Sequence, residues 1–222
     1  MSGKVALLTG FEPYGGRGVN PAFEIMRRLD GTAIGDATVT GRRLPVSYAA
    51  LSAGIDALLE ELDPAVIVSV GLWPGEPMLR LERLAVNVAD FEIPDNDGLV
   101  LSDATVQGNA QTAFMATLPL RAIEAALLSS GIPARVSNTA GTFLCNATMF
   151  GFLQALAARG RAIPCGFVHV PYLPSQVADI LRKTKEERRL EREQRADIAS
   201  MSLETMVAAV RSVIEVSLKA AA

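Results

Sequence analysis

The sequence predicts an α/β fold in which helices cover both faces of a mostly parallel β-sheet. Apolar runs at residues 5–9 and 65–70 are typical of buried strands, and a third strand is predicted at residues 37–44. Helices predicted at residues 21–29 and 49–62 separate these strands. This alternation of strand and helix is the pattern of βαβ units, which build parallel sheets.

Length and composition are those of a globular protein with a sizeable core. The chain has 222 residues, of which 50% are hydrophobic and 20% are charged. It contains no internal repeat and no linker-like stretch that would divide domains. We therefore expect one domain over residues 1–222.

Charge and cysteine content exclude several classes of function. A net charge of −3 gives no electrostatic basis for binding nucleic acid, and no apolar run is long enough to span a membrane. The first residues lack the pattern of a signal peptide, so we expect a cytoplasmic protein with reduced thiols. Two cysteines and one histidine are too few for a usual zinc site, and we expect neither metal nor cofactor.

A glycine-rich loop follows the first predicted strand. Asn20 is placed to cap the next helix, with Pro21 in its first turn. Such a loop invites a nucleotide-binding interpretation, but residues 10–21 match neither Gly-x-Gly-x-x-Gly nor a Walker motif. The alternative is a sharp turn that presents Phe11 and Tyr14 to a ligand.

The remaining elements extend the same fold. The loops after Thr9 and Val70 should meet, because ligands bind outside the carboxyl ends of parallel strands. Beyond them we predict a strand-like segment at 81–88, a turn-rich loop at 93–98, a hairpin or irregular excursion at 99–109, a helix at 120–130, a strand at 134–138, a helix from 145, a strand at 165–170, a helix beginning at 175–181, a solvated charged segment at 183–199 and a final helix at 202–218.

Cys145 lies where a small-residue turn gives way to a predicted helix. A cysteine in the first turn of a helix feels the positive end of the helix dipole, which favours the nucleophilic thiolate. The alternative is that Cys145 is simply a small buried hydrophobic residue, as free cysteines often are. Cys165 lies inside a strand pattern after Pro164 and is predicted to be part of the core.

His169 is the only histidine, and it lies at the end of a predicted apolar strand. The topology places it at the same edge of the sheet as Cys145, where a neutral imidazole could accept the thiol proton. Such a pair usually needs a third group that orients the imidazole. Glu82 is a candidate because it interrupts an apolar segment, but spacing does not choose it over three other carboxylates, those of Asp90, Glu92 and Asp95.

Five motifs resemble those of the pyroglutamyl peptidase I family, whose members are also called pyrrolidone-carboxylate peptidases. They are residues 9–16 (TGFEPYGG), 81–87 (LERLAVN), 93–96 (IPDN), 140–146 (AGTFLCN) and 169–174 (HVPYLP), and residues 200–204 also resemble a family segment. The motifs occur in the family's order, and the resemblance covers nearly the whole chain except the charged run.

The resemblance implies a single-domain α/β/α sandwich with a mostly parallel twisted sheet. It implies a cytosolic cysteine peptidase that removes N-terminal pyroglutamate from peptides and that assembles as a homodimer or homotetramer. Cys145 would be the nucleophile, His169 its base and Glu82 the third member. The substrate pocket is expected to include Phe11, Tyr14, Asn20, Leu72, Ile93, Phe143 and Leu144.

The chain departs from the family's usual residues at two positions. Relatives commonly carry arginine where this chain has Glu92, and the loop after the third strand often ends in arginine where this chain has Glu76. Loss of a cation near the thiol is predicted to raise its pKa. We hypothesise that activity persists but is lower, or is shifted toward another blocked N-terminus. A non-catalytic protein that binds lactams is the alternative, which retention of Cys145, His169 and Glu82 disfavours.

Overall fold

The computed structural model describes residues 3–186 and 197–221. Its elements, in chain order, are β1 (Lys4–Phe11), α1 (Pro21–Leu29), β2 (Ala33–Ile34), β3 (Ala37–Leu44), α2 (Tyr48–Leu62), β4 (Val66–Leu72), β5 (Leu79–Glu82), β6 (Leu84–Val86), β7 (Ala113–Met115), α3 (Leu120–Ser129), β8 (Ala134–Ser137), α4 (Leu144–Ala158), β9 (Cys165–Val170), α5 (Pro174–Glu186) and α6 (Leu203–Ala220).

A mostly parallel sheet forms the centre of the molecule. Within the described residues it contains seven strands in the order β2-β3-β1-β4-β9-β5-β8. The pairs β1–β3, β1–β4, β4–β9 and β5–β8 are parallel, whereas β2–β3 and β5–β9 are antiparallel. The predicted α/β class with a mostly parallel sheet is therefore confirmed.

Helices cover both faces of this sheet. On one face, apolar side chains of α1, α3 and α6 pack on the strands to form one buried cluster. On the other face, α2 and α4 form a second cluster, which contains Phe150, Phe152 and Phe167. The result is the three-layer α/β/α sandwich that the resemblance implied. Among the described residues, none of the helices is both long enough and apolar enough to cross a membrane.

The continuous strand predicted at residues 81–88 is wrong. The chain leaves the main sheet after Glu82, and β6 pairs instead with β7 in a separate two-stranded sheet. Asn146 in α4 stabilises this arrangement, because its side chain accepts a hydrogen bond from the Val86 amide and donates one to the Val86 carbonyl, each 2.8 Å long. The two elements that were not predicted, β2 and β7, have only two and three residues, which is too short for a recognisable strand pattern.

The predicted charged segment at residues 183–199 is only partly within the described residues. Lys183 ends up inside the last turns of α5, and residues 197–199 precede an isolated bridge between Tyr172 and Ser200. Residues 187–196 lie outside the described residues. The prediction for that stretch stays a prediction.

Gly10 at the end of β1 allows α1 to pack closely on the sheet. A Cβ atom at this position would lie 2.3 Å from the Ala22 carbonyl oxygen, which belongs to the helix backbone and cannot rotate away. Gly10→Ala should therefore lower the free energy of unfolding by about 1–3 kcal/mol, because overpacking forces the backbone to shift. Urea denaturation followed by circular dichroism measures the change.

Gly54→Ala is the matched control for this substitution. Gly54 lies within α2 and no atom lies within 4 Å of an added Cβ. Since alanine loses less conformational entropy than glycine in a helix, this change should raise the free energy of unfolding by about 0.5–1 kcal/mol. Equal stability of the two variants would contradict the packing argument.

Candidate active site

A cavity of about 470 Å³ opens where β1, β4 and β9 end and α4 begins. Cys145 and His169 both line it, as the topology of the sheet predicted. All seven residues predicted for the substrate pocket also line it: Phe11, Tyr14, Asn20, Leu72, Ile93, Phe143 and Leu144. A second cavity, of about 220 Å³, lies between α2 and α4 and is lined by neither Cys145 nor His169.

Aromatic side chains form much of the cavity wall. The rings of Tyr14 and Phe143 lie 6.3 Å apart, and Phe143 packs edge-on against Phe91 at 4.7 Å. Burial raises the pKa of Tyr14 to about 12, so its hydroxyl remains protonated and can donate a hydrogen bond. The Arg17 guanidinium lies 4.9 Å from the centre of the Tyr14 ring and also donates to the Tyr172 hydroxyl. The glycine-rich loop thus contributes aromatic surface to the cavity.

Cys145 is the second residue of α4 and is partly accessible from the cavity. The N-cap residue, Phe143, makes no side-chain hydrogen bond to the first turn. The amides at the start of this helix are therefore not capped by that side chain, and they can face an anion in the cavity.

Burial favours the protonated thiol of Cys145 and so opposes the effect of the helix start. Burial raises the pKa of Cys145 to about 12, and the nearby negative charge of Glu82 acts in the same direction. The backbone amides at the helix start lower the pKa, but this contribution is smaller. A thiolate at this position would lose part of its hydration, and that desolvation outweighs the effect of the helix start.

Gly71 leaves the space that the sulfur of Cys145 occupies. A Cβ atom at residue 71 would lie 2.8 Å from Cys145 Sγ and 2.8 Å from the Phe167 ring. In the parallel pairing of β4 with β9, Gly71 is the register partner of His169. The sulfur thus lies over the strand next to the histidine, on the face of the sheet that α4 covers.

His169 is held by Glu82. Nδ1 of His169 lies 2.8 Å from Oε1 of Glu82, and both side chains are buried. A carboxylate can only accept, so Nδ1 donates and Nε2 carries the free lone pair. Burial lowers the pKa of His169, while the Glu82 carboxylate opposes that shift. The ring is therefore neutral at rest and able to accept a proton.

Among the four carboxylates left open by the sequence, the described residues place only Glu82 against His169. Asp95 accepts hydrogen bonds from three backbone amides, those of Tyr48, Asp97 and Leu99, and so organises its own loop. Asp90 and Glu92 line the cavity and are exposed. Within the described part of the chain no hydrogen bond joins the thiol to the imidazole, a contact that often tightens only when substrate binds.

The structure corrects the expected surroundings of Glu76. Its carboxylate is buried and forms ion pairs with Arg135 at 3.1 Å and with Arg80 at 3.4 Å. It is thus a paired charge in the turn between β4 and β5 and does not lie unpaired beside the thiol. Glu92 remains as the exposed negative charge that this chain places in the cavity wall, together with Asp90.

Arg80 and Trp73 belong to the site but were missed by the sequence analysis. Nε of Arg80 donates to Oε1 of Glu82 at 3.0 Å, and the Trp73 ring centre lies 3.6 Å from the Arg80 guanidinium. Trp73 also packs edge-on against His169, with ring centres 4.9 Å apart, and lines the cavity. An arginine directly before the strand-like segment predicted at residues 81–88, two residues before Glu82, was the available signal.

Comparison with known proteins gives consistent matches over almost the full chain. A family model described as pyroglutamyl peptidase matches residues 4–220. The pyrrolidone-carboxylate peptidase of Cupriavidus pinatubonensis is 42% identical over 216 residues, which cover 97% of this chain and 93% of that protein. The Pyrococcus furiosus protein of the same name is 41% identical over 213 residues, covering 96% and 97%.

Solved structures give the same result. The structure of a mutant pyrrolidone carboxyl peptidase from Pyrococcus furiosus aligns with a TM-score of 0.90 at 41% identity. The alignment covers 97% of this chain and 99% of that one. Fold and sequence therefore point to one family.

The raised pKa of Cys145 predicts a pH dependence for its alkylation. Because the thiol is protonated well above neutral pH, its thiolate fraction grows as the pH rises toward the pKa. The rate of labelling by iodoacetamide should therefore increase about tenfold per unit between about pH 7 and 9. Mass spectrometry of the Cys145 peptide measures this rate.

Cys165 in the same sample is the internal control. It is 1% exposed, and burial raises its pKa, so it should stay unlabelled while the protein is folded. A labelling rate at Cys145 that is already constant above about pH 6 would show a preformed thiolate and contradict the prediction.

Proposed function

Because the chain belongs to the pyroglutamyl peptidase family of cysteine-type hydrolases, we propose that it removes N-terminal pyroglutamate from peptides through an acyl-enzyme on Cys145. One observation carries the assignment of roles. The Nδ1–Oε1 bond of 2.8 Å orients His169, while Cys145 Sγ lies over Gly71, the register partner of that histidine. Cys145 and His169 thus line one cavity, and Glu82 lies buried behind His169, which supports these three roles.

The cavity suits a neutral, compact lactam. Pyroglutamate has no free amine, so its recognition needs apolar walls and a few hydrogen bonds. Phe11, Tyr14 and Phe143 provide aromatic surface, and the neutral Tyr14 hydroxyl provides a donor. A volume of about 470 Å³ leaves space for the residue that follows the lactam. The same walls bring the scissile carbonyl to the start of α4.

The first step forms the acyl-enzyme. Nε2 of His169 accepts the thiol proton as Cys145 Sγ forms a bond to the scissile carbonyl carbon, and the C=O π electrons move to oxygen. Amides at the start of α4 stabilise that oxyanion. When the carbonyl re-forms, the C–N bond breaks and the protonated His169 gives its proton to the departing amine. Glu82 stabilises the transient imidazolium, because its carboxylate lies 2.8 Å away.

Hydrolysis of the thioester completes the cycle. His169, neutral again, removes a proton from water as the water oxygen attacks the thioester carbonyl. The C–S bond then breaks, the sulfur takes the proton back, and free pyroglutamate leaves. The sulfur of Cys145 and the ring of His169 are thus both neutral between turnovers. This agrees with the raised pKa of the thiol and the lowered pKa of the imidazole.

The resemblance also supports a domain organisation, a location and an assembly. We propose that the chain forms one catalytic domain, works in the cytoplasm and assembles as a homodimer or homotetramer. Light scattering measures the mass of the assembly and so tests its oligomeric state. Three exposed apolar side chains, Val88, Leu99 and Val100, support association of copies.

The native chain should hydrolyse a pyroglutamyl amide with a fluorescent leaving group. Cys145→Ala should abolish hydrolysis because it removes the nucleophile, and Glu82→Gln should lower kcat by at least about 100-fold because the imidazolium loses its counter-charge. Fluorescence of the released amine measures both rates.

The matched control for these variants is Cys165→Ala, which removes the other thiol from the core. It should keep kcat near that of the native chain, provided that circular dichroism shows it folded. Hydrolysis that persists in Cys145→Ala would overturn the assignment of the nucleophile. A folded native chain that cleaves no pyroglutamyl substrate would favour the alternative, a protein that binds blocked N-termini without cleaving them.

The exposed carboxylate of Glu92 should make the enzyme prefer a basic residue after pyroglutamate. Glu92 and Asp90 line the cavity, and no ion pair neutralises either within the described residues. Attraction at partly solvated distances predicts a kcat/KM about 3- to 10-fold higher for pyroglutamyl-lysyl than for pyroglutamyl-glutamyl peptides at low salt. Competition between the two peptides, followed by mass spectrometry, measures the ratio.

Glu92→Gln should bring this ratio closer to one, and added salt should do the same in the native enzyme. Glu204→Gln removes an equal charge from α6, on the other face of the sheet, and should leave the ratio unchanged. A preference for the acidic peptide would refute this role of Glu92.

A further inference from the structure

Arg80 lies at the junction of the catalytic elements. It is in β5, directly opposite His169 in the antiparallel pairing with β9. Opposite residues of an antiparallel pair point to the same face of a sheet, so Arg80, Glu82 and His169 share the face that α4 covers. Arg80 is 6% exposed, and its guanidinium is therefore confined to partners within the protein.

One side of the guanidinium binds the proposed orienting carboxylate. Nε of Arg80 donates to Oε1 of Glu82 at 3.0 Å, the same oxygen that accepts from His169 Nδ1 at 2.8 Å. Oε2 of Glu82 is buried and has no hydrogen-bond partner among the described residues. The buried carboxylate thus depends on a single oxygen with two donors, of which Arg80 is the permanent cation.

The other side of the guanidinium binds the segment that leads to the nucleophile. Nη2 of Arg80 donates to the Ser137 hydroxyl and to the Thr139 carbonyl, both at 2.8 Å. Ser137 is the last residue of β8 and Thr139 follows it, and both precede the turn at Gly141, after which α4 carries Cys145. A single planar group therefore joins the carboxylate and the chain segment before the thiol. Lysine has no such fork of donors.

The flat face of the guanidinium supports the cavity wall. The Trp73 ring lies 3.6 Å from it and in turn packs edge-on against His169. On its far side, Arg80 pairs with Glu76, which Arg135 also binds. Within the described part of the chain, Arg135 pairs with Glu76 but makes no hydrogen bond or ion pair with Glu82, so it is a suitable comparison for Arg80.

We propose that Arg80 is a positioning residue that holds the Glu82 carboxylate on His169 and, through the same guanidinium, fixes the segment before Cys145. This inference rests on the proposed function, because it assigns to Arg80 an effect on the base and the nucleophile named there. Arg80 touches neither substrate nor reacting atoms, so its effect is on the geometry and charge of groups that do.

The experiment compares Arg80→Lys, Arg80→Gln and Arg135→Gln in full-length protein. Arg80→Lys keeps the charge but loses the fork, so kcat for a pyroglutamyl amide should fall about 10-fold. Arg80→Gln loses both, and kcat should fall about 100-fold, with KM changed by less than about threefold. Arg135→Gln should stay within about twofold of the native kcat, since Glu76 keeps Arg80 as its partner.

The pH profile separates a positioning role from a purely structural one. Among the described residues, the charged and titratable groups on the elements around His169 are Glu82 and Arg80 from β5, Glu76 from the turn after β4 and Cys145 from α4. The cavity that His169 lines adds Tyr14 and Arg17 from the loop after β1, and Asp90 and Glu92 from the segment after β6. Arg80 lowers the pKa of His169, whereas Glu82 and Glu76 raise it. Loss of Arg80 therefore raises that pKa, and the acid limb of kcat/KM in Arg80→Gln should move up by about half a pH unit.

The outcomes distinguish this inference from the function on which it rests. Thermal melts identify variants that do not fold. If Arg80→Gln is unfolded, the kcat and pH profile of Arg80→Lys test the role of Arg80. Native kcat and an unmoved acid limb in the folded Arg80 variants would overturn the role of Arg80 alone. So would an equal loss in Arg135→Gln, because that points to general weakening of the charge network. A native chain without pyroglutamyl hydrolysis would overturn the proposed function and this inference with it.

Discussion

The hydrogen bond between Glu82 and His169 is the interaction on which the proposed chemistry depends. It fixes the proton on Nδ1 and leaves Nε2 free to accept a proton, and it requires a carboxylate that is fully buried. Burial of such a charge is costly unless it is paired. Arg80 supplies the counter-charge in this fold, and the pairs of Glu76 with Arg80 and Arg135 extend the compensation toward the surface.

The reversal of strand direction between β9 and β5 makes this bond possible. Because the pairing is antiparallel, Arg80 lies opposite His169 and Glu82 lies opposite Phe167, all on the face that α4 covers. The alternating residues Leu81 and Val168 enter the opposite core. Because successive side chains of a strand point to opposite faces of the sheet, the charged groups of these strands lie on one face and Leu81 and Val168 on the other. The same strands therefore contribute to both the core and the site.

Much of this arrangement could be predicted from the sequence, for identifiable reasons. Long apolar strands and amphipathic helices gave correct elements, since burial dominates their conformation; the strand at residues 165–170 matches β9 (Cys165–Val170). The break after Glu82 was missed, because the new course of the chain is held by the Asn146 side chain, which lies sixty residues beyond its partner Val86. The role of Arg80 was missed because it depends on the direction of β5 relative to β9. The pairing of Glu76 was missed because its partners, Arg80 and Arg135, lie in two different strands, β5 and β8.

Two opposing effects act on the charge state of the Cys145 thiol, and their balance determines which group of the site carries the negative charge. A helix start favours a thiolate, but burial beside a carboxylate disfavours it more strongly. Thiol and imidazole are then both neutral at rest, and the buried negative charge of the site resides on Glu82. In the proposed mechanism, proton transfer places a cation next to that carboxylate while the new negative charge moves to the substrate oxygen at the start of α4. The preformed Glu82 charge thus favours the imidazolium of the transition state over the resting pair, which is differential stabilisation of the kind that accelerates a reaction.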